Sequence, residues 1–273
     1  MPELPEVEQV RKTLSPHVVG KKIKALDIRL KRLIHHPSAN EFEKKVVGKT
    51  ITSIDRHGKY LKVNLDKDLY ILIHLRMTGA LMAVPKKAPE PSYAKIEFTL
   101  TGDYNMWFTD IRTFGTLDLI DHNDYVVEGF STLGPEPCTK ELRAKYLYGI
   151  TQKAKGPIKA LILNQKVIAG LGNIYADEAL FVSGILPMRL ASTLTLKDCE
   201  SLVKAINKVI KQGIKNHGTT FRDYKDGEGN QGSNQKHLFV YGRRLEGCLK
   251  CGRELSYTKV AGRGTTYCSK CQH

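Results

Sequence analysis

Four cysteines near the end of the chain constrain its fold more than any other feature. Cys248 and Cys251 form one Cys-x2-Cys pair, sixteen residues follow, and Cys268 and Cys271 form a second pair. Two such pairs at this separation match a four-thiolate zinc site on two hairpin knuckles. A closed set of four sulfurs leaves no position for water, so a metal here is structural rather than catalytic. In a reducing compartment such pairs are ligands more often than disulfides. The remaining cysteines, Cys138 and Cys199, stand alone. Between the pairs, VAGRGT (260–265) sets Arg263 between Gly262 and Gly264. Two glycines permit a tight turn that lifts one guanidinium clear of the hairpin, and arginine is well suited to gripping a phosphate. A solvated turn arginine would carry the same sequence.

The charge points the same way. The 273 residues hold 43 Lys plus Arg against 28 Asp plus Glu, a net charge of +15 with a pI near 9.5. Such an excess calls for a polyanion, nucleic acid first and an anionic membrane surface second. No apolar run approaches the roughly 18 residues of a spanning helix, and the N-terminus lacks the basic-then-apolar pattern of a secretion signal. The expectation is a cytoplasmic protein.

The length suits two or three domains. Residues 5–18 predict a helix, with Val7, Val10, Leu14 and Val18 at helical spacing. The next hundred residues are strand-like: YLKVNL (60–65), ILIHLRM (71–77), KIEFTL (95–100), NMWFTD (105–110) and GTLDLI (115–120), separated by turns such as LDKD (65–68) and LTGD (100–103). An antiparallel sandwich or barrel follows. After GPEP (134–137) the character becomes helical, around 139–147, 157–163, 173–182 and 196–215. In the last segment Leu202, Val203, Ile206, Val209, Ile210, Gly213 and Ile214 make one stripe that reads as core. The polar, glycine-rich stretch 217–236 fits no period, and loops of that length are functional or disordered. The tail from 237 on reads as short strands around the cysteines. The expected class is α+β: a β-sandwich domain with a leading helix (1–130), a helical domain holding most of the 217–236 loop (131–235) and a zinc-finger hairpin (236–273).

Several smaller constellations carry chemistry. The chain opens MPELPE, and the small residue after Met1 allows its removal, which would expose a secondary amine on Pro2 beside Glu3 and Glu6. A helix start with Pro5 in its first turn and acids nearby would look much the same. In NQKVIAGLGNIYADEAL (164–180), Val167 to Gly172 is a glycine-bearing turn and Asn173 begins a helix, either as a plain N-cap or at an amide cluster that binds phosphate. Alternation puts Leu72, His74 and Arg76 on one strand face and Ile71, Ile73, Leu75 and Met77 on the other, with Met77 pushed towards a turn. DIRTFGT (110–116) puts Arg112 and Phe114 beside Gly115. Apolar wedges with an arginine are what a protein needs to replace an extruded base, although each residue alone is more often core or surface. Lys59, Lys155 and Tyr241 are candidate phosphate contacts.

PELPE, RHGKYL, HLRM, IRTFGT, GLGNIYADE and the closing VAGRGT between cysteine pairs occur in this order. In that order they resemble the bacterial formamidopyrimidine-DNA glycosylases nearly end to end. The resemblance implies a helix-two-turn-helix middle domain, one structural zinc, and damaged double-stranded DNA as the partner of a monomer. It implies removal of oxidised purines (8-oxoguanine and formamidopyrimidines) by Pro2 as nucleophile, followed by β,δ-elimination of the strand. Amines form Schiff bases, and an α-amino group titrates near 8, so part of it is uncharged at neutral pH. By the same match Glu3 is the acid/base and Glu6 its orienting neighbour. Lys59, His74, Asn173 and Arg263 are phosphate ligands around the lesion, with Lys155 and Tyr241 in support. Met77, Arg112 and Phe114 fill the void left by the flipped nucleotide, and Arg112 pairs with the orphaned cytosine. The 217–236 loop is a lid over the base, with Thr219 and Tyr224 as candidate contacts.

Three positions depart from the pattern: Thr78 where some relatives carry glutamate, Thr113 in place of a common lysine, and Asp223 where a hydroxyl residue is frequent. Two alternatives remain at this level: the sister activity on oxidised pyrimidines, as in endonuclease VIII, and a non-catalytic zinc protein that binds nucleic acid. PELPE, the Arg112/Phe114 arrangement and the long lid favour the purine enzyme, and Pro2 with Glu3 exceeds what simple binding requires.

Overall fold

The computed structural model describes residues 1–122 and 125–273. In chain order the elements are α1 (Leu4–Val18), β1 (Ile23–Ile28), β2 (Ile34–His36), α2 (Ala39–Val46), β3 (Ile51–His57), β4 (Tyr60–Leu65), β5 (Leu69–His74), β6 (Gly79–Pro85), β7 (Ala94–Leu100), β8 (Tyr104–Asp110), β9 (Thr116–Asp121), α3 (Glu128–Ser131), α4 (Ala144–Thr151), α5 (Ile158–Leu163), α6 (Asn173–Ser183), α7 (Leu196–Lys215), β10 (Ser256–Val260) and β11 (Arg263–Tyr267). They fall into two compact units. The first is Met1–Ser131 with Asn216–Ser233, and the second is Thr132–Lys215 with Asn234–His273. By contacts, then, the loop after α7 belongs with the N-terminal unit, whereas the sequence reading assigns most of it to the helical domain.

The first unit is the expected sandwich. One sheet has the order β1-β7-β8-β6 and the other β2-β9-β5-β4-β3. Neighbouring strands are antiparallel except β2, which runs parallel to β9. Phe98 and Phe108 from one sheet and Val63, Ile71 and Leu117 from the other share a single core with Val7, Val10 and Leu14 of α1. The apolar face of α1 is thus covered, as its spacing predicts. Two edges differ from expectation. The strand expected over 71–77 ends at His74, because Arg76 has φ +54° and breaks the alternation. Arg76 and Met77 therefore both face outward. β6 reads as continuous apolar residues rather than alternating ones, and it is buried along most of its length. It is an edge strand, and the loop covers it: the Ala83 N–H donates to the Gly227 carbonyl at 2.8 Å.

In the second unit, α7 has the stripe that the sequence predicts. Leu202, Val203, Ile206, Val209, Ile210 and Gly213 are buried. Gly213 is required for space, since a Cβ there would lie 2.5 Å from the Tyr175 hydroxyl of α6. The helix expected over 139–147 instead begins at Ala144, and buried Leu142 belongs to the turn before it. β10 and β11 form a two-residue hairpin, pairing Val260 with Arg263. Its turn residues Ala261 and Gly262 both have positive φ, 49° and 73°. Gly264 is not part of this turn: it lies in β11 beside the Tyr257 hydroxyl, which a Cβ there would meet at 2.6 Å and displace.

Candidate active site and nucleic-acid contacts

Pro2, Glu3 and Glu6 are all buried at the start of α1. Two acids at a helix N-terminus lie where the helix dipole favours negative charge. One Glu6 carboxylate oxygen accepts the Glu3 N–H at 2.8 Å, and the other accepts the Thr219 N–H at 2.7 Å. Glu6 thereby ties the N-terminal turn to the root of the loop. The Tyr224 hydroxyl donates towards the carbonyls of Glu6 and His217, both at 3.3 Å, and its ring lies in the core. Burial pushes that phenol far above its ordinary range. Tyr224 is therefore held inward and anchors the loop. Asp226 caps the next segment by accepting the Glu228 and Asn230 N–H groups at 2.9 and 2.8 Å. Phe221, Arg222 and Asp223 form the exposed tip.

Lys59 occupies the β3–β4 turn and is buried. His74 ends β5. Burial first, then the charges of Arg76 and Lys59, push its imidazole down to about 3. The ring is thus neutral near pH 7, and because Nδ1 accepts the Arg76 N–H at 2.9 Å, the proton sits on Nε2. His74 is an uncharged donor, braced edge-on by the Tyr60 ring at 4.5 Å.

The wedge residues form one exposed group. Met77 is 42% exposed and Phe114 50%. The Arg112 guanidinium lies 4.8 Å from the Phe114 ring centre, and its Nη1 donates to the Met77 sulfur at 3.0 Å. Asp110, buried at the end of β8, builds the turn that carries them. Its Oδ1 accepts the Thr78 hydroxyl at 2.5 Å and the Arg112 N–H at 3.1 Å, while Oδ2 accepts the Gly115 N–H at 2.8 Å. The Thr78 hydroxyl also accepts the Arg112 N–H at 2.9 Å, so this departure from the family pattern has a structural partner. Thr113 has φ +55°, and its hydroxyl accepts from the Arg32 guanidinium. Sequence reasoning missed Asp110. The available signal was a turn-forming acid two and five residues ahead of the amides it binds.

In the second unit Asn173 is not an N-cap. Gly172 occupies that position, and the Asn173 Nδ2 donates to the Gly264 carbonyl at 3.0 Å. Arg263 is exposed at the β10–β11 tip, and Lys155 is exposed ahead of α5. Tyr241 is half-buried in a segment held by Glu178, whose carboxylate accepts the N–H groups of Phe239, Val240 and Tyr241 at 2.7, 2.8 and 2.9 Å. Glu178 was also missed, as a buried acid on a helix carries no sequence mark of what it will bind.

The four cysteine sulfurs lie within 4.8 Å of one another. Cys248 and Cys271 are 3.9 Å apart, and Cys251 and Cys268 are 3.5 Å apart. Sulfurs about 2.3 Å from one tetrahedral zinc are about 3.8 Å apart, so the donor set fits the ion. Burial and the other three sulfurs push the Cys271 thiol up to about 12. A divalent cation is what makes several thiolates tolerable in that space. Cys248 and Cys268 also pack with Phe181, Val240 and Leu255 in a small core. The site holds one structural zinc.

An exposed guanidinium braced on an aromatic ring, in a chain of net charge +15 with a zinc-held arginine hairpin, marks a protein that handles a nucleic-acid backbone. Comparison with known proteins narrows this class. Three family models match in order: the formamidopyrimidine-DNA glycosylase N-terminal domain (1–117), its H2TH domain (133–225), and the zinc finger found in FPG and IleRS (246–273). The chain is 42% identical over 276 residues to the formamidopyrimidine-DNA glycosylase of Carboxydothermus hydrogenoformans, covering all of both chains. It is 40% identical to that of Bacillus subtilis, covering 100% of this chain and 99% of the relative. Among solved structures, a Lactococcus lactis FPG mutant in complex with Fapy-dG-containing DNA matches with a TM-score of 0.92 at 34% identity over 99% of each chain. The Lactococcus lactis Fpg bound to DNA with an abasic site matches equally well. The chain belongs to the formamidopyrimidine-DNA glycosylase family.

Proposed function

We propose that this chain is a bifunctional DNA glycosylase and abasic-site lyase that removes oxidised purines through Pro2. The observation that carries this reading is the buried turn in which Pro2 adjoins Glu3 and Glu6, with Glu6 bonded to the Glu3 N–H. Removal of Met1 frees the proline nitrogen as a secondary amine. That nitrogen attacks C1′ of the damaged nucleotide, and the base departs with the glycosidic electrons after protonation. Glu3 is the group that gives and takes protons on the sugar, and buried Glu6 orients the turn and faces the cationic iminium. The iminium acidifies the neighbouring C–H, so the 3′ and then the 5′ phosphate leave, and water hydrolyses the remaining adduct. A secondary amine gives a permanently charged iminium, a better electron sink than a neutral imine.

The other positions serve binding. Lys59 and neutral His74 contact phosphate from the first unit, as Asn173 and Arg263 do from the second, with Lys155 and Tyr241 in support. Met77, Arg112 and Phe114 replace the extruded nucleotide, and the Arg112 guanidinium hydrogen-bonds the opposite cytosine. The Thr219 amide region and the loop tip face the lesion, while Tyr224 holds the loop in place. Full-length likeness to proteins named for formamidopyrimidine favours the purine enzyme over the pyrimidine one. No helix among the described residues is long and apolar enough to cross a membrane. The chain works as a monomer on damaged duplex DNA in the cytoplasm.

Borohydride reduction during reaction with an 8-oxoguanine duplex tests the mechanism. It should give a stable adduct whose mass places the DNA on Pro2, and retaining Met1 should block trapping without preventing duplex binding. An adduct on Lys59 or Lys155 would overturn the proline assignment.

A further inference from the structure

One buried ion pair in the helical unit has no part in the chemistry above. Lys159 of α5 is 0% exposed and Asp177 of α6 is 1% exposed, with Nζ and Oδ1 2.6 Å apart. Both residues reach the strand that carries Arg263. The Lys159 ammonium donates to the Gly264 carbonyl at 3.0 Å and to the Thr265 hydroxyl at 2.7 Å. That hydroxyl donates in turn to the Arg263 carbonyl at 2.9 Å. The Asp177 Oδ2 accepts the Thr266 N–H at 3.2 Å. The consecutive residues 263–266 are therefore tied to two helices through one pair of charges.

Stability alone does not account for such a pair. Taking an ammonium and a carboxylate out of water costs energy, and well-packed apolar residues of similar size are often neutral or stabilising replacements. What charges provide and apolar residues do not is direction: the Lys159 donors and the Asp177 acceptor specify where the Gly264 carbonyl and the Thr266 amide must lie. Zinc fixes the hairpin at Cys268, its C-terminal end. The turn and Arg263 lie at the other end of β11, beyond the reach of the metal.

We propose that Lys159 and Asp177 are positioning residues for Arg263, holding the hairpin tip so that its guanidinium meets a DNA phosphate already in place. Ordering the turn at the moment of binding would weaken the contact, and the pair removes that part of the cost beforehand by holding the backbone that carries Arg263. This rests on Arg263 as a phosphate contact, so the test separates the two claims.

The probe is a duplex with a tetrahydrofuran abasic analogue, and affinity is measured across a series of salt concentrations. Three variants are compared: Arg263→Ala, Lys159→Met/Asp177→Leu, and all three substitutions together. Burial raises the Asp177 carboxyl to about 7 despite Lys159, so binding is measured at pH 8 or above. There the pair is close to neutral overall, and deleting it removes little net charge and by itself changes the salt slope little. If it positions Arg263, the double variant should still lose about one phosphate's worth of slope, roughly 0.9 in log Kd against log salt. Affinity should fall about tenfold, as for loss of one charge-assisted bond. The triple variant should match Arg263→Ala rather than add to it. Zinc content should stay at one ion per chain.

Wild-type binding by Arg263→Ala would remove the phosphate reading and the proposal with it. Weakened Arg263→Ala beside a wild-type double variant would overturn the positioning role alone. Additive losses, or loss of zinc from the double variant, would mean that the pair acts on something other than the hairpin tip, which also overturns it. Should the double variant fail to fold, Lys159→Gln/Asp177→Asn also leaves the net charge unchanged, and it is judged by the same slope and additivity.

Discussion

Substituting Asp110 tests how the exposed arginine–aromatic cluster is built. Its carboxylate is 1% exposed and accepts the Thr78 hydroxyl, the Arg112 amide and the Gly115 amide. In Asp110→Ala these donors lose a charged acceptor, and each such bond contributes about 1.5–3 kcal/mol. The three contributions do not add. The Arg112 amide lies in an exposed residue and can turn to water or to Thr78, and the Thr78 hydroxyl can rotate. Gly115 is buried, so its N–H is orphaned at about 1–3 kcal/mol. Relief from burying a carboxylate offsets part of the loss. The expected destabilisation is about 2–4 kcal/mol, against about 1 kcal/mol for Thr78→Val, which removes one hydroxyl and leaves the Arg112 N–H its bond to Asp110.

The single tryptophan, Trp107, is buried in β8 three residues before Asp110, so its fluorescence during urea unfolding reports on this unit. The same variant should lose selectivity for the base opposite 8-oxoguanine, because the turn that aims Arg112 is gone. A midpoint shift worth less than about 1 kcal/mol would refute the reasoning. So would a full loss of stability with the opposite-base preference intact, since the carboxylate would then support the sheet and not the cluster.

Arg112→Ala should bring cleavage rates opposite cytosine and opposite adenine together, removing a discrimination of about 1–3 kcal/mol while abasic-site cleavage persists; an unchanged ratio in the two duplexes would exclude that role. The imidazole of His74 titrates at about 3 when folded, below its ordinary 6.5, so the unfolded chain binds the extra proton between those values. Its contribution to stability is therefore complete above pH 6.5 and is lost as pH falls towards 3, with a slope approaching about 1.4 kcal/mol per pH unit. His74→Gln should flatten that part of the Trp107-monitored profile, and an identical slope in the variant would contradict the assignment. Cys268→Ser should release zinc and abolish duplex binding while the Trp107 transition stays in place, as judged by metal analysis, gel shift and urea unfolding.

Much of the fold was legible because it rests on local periods. The stripe of α7, the apolar face of α1 and the β4, β7, β8 and β9 strands announce themselves within a dozen residues, and the cysteine spacing does so within 24. Elements with weak local signals were not legible. β2 has only three residues, β1, β3 and α2 are mixed in character, and β6 is uniformly apolar, with the loop at Gly227 bonded to its edge. β5 stops where Arg76 adopts a left-handed backbone, which no alternation pattern reveals.

The candidate site divides in the same way. Sequence by itself determined the chemistry available: a proline after a removable methionine, two acids behind it, four thiols at metal spacing, and a surplus of positive charge. These are properties of residue type and spacing, and folding does not alter them. Tertiary structure alone decided which partner each group met. Asn173 and Asp177 lie four residues apart on one helix, yet both bind a hairpin about 90 residues later in the chain. Glu6 meets Thr219 across 213 residues. Tyr224 turns into the core instead of outward because burial of its ring and two carbonyl acceptors hold it there. Hydrogen bonds and ion pairs act over a few ångströms, and the distances that place such groups together are set by packing of the whole chain, not by their order along it.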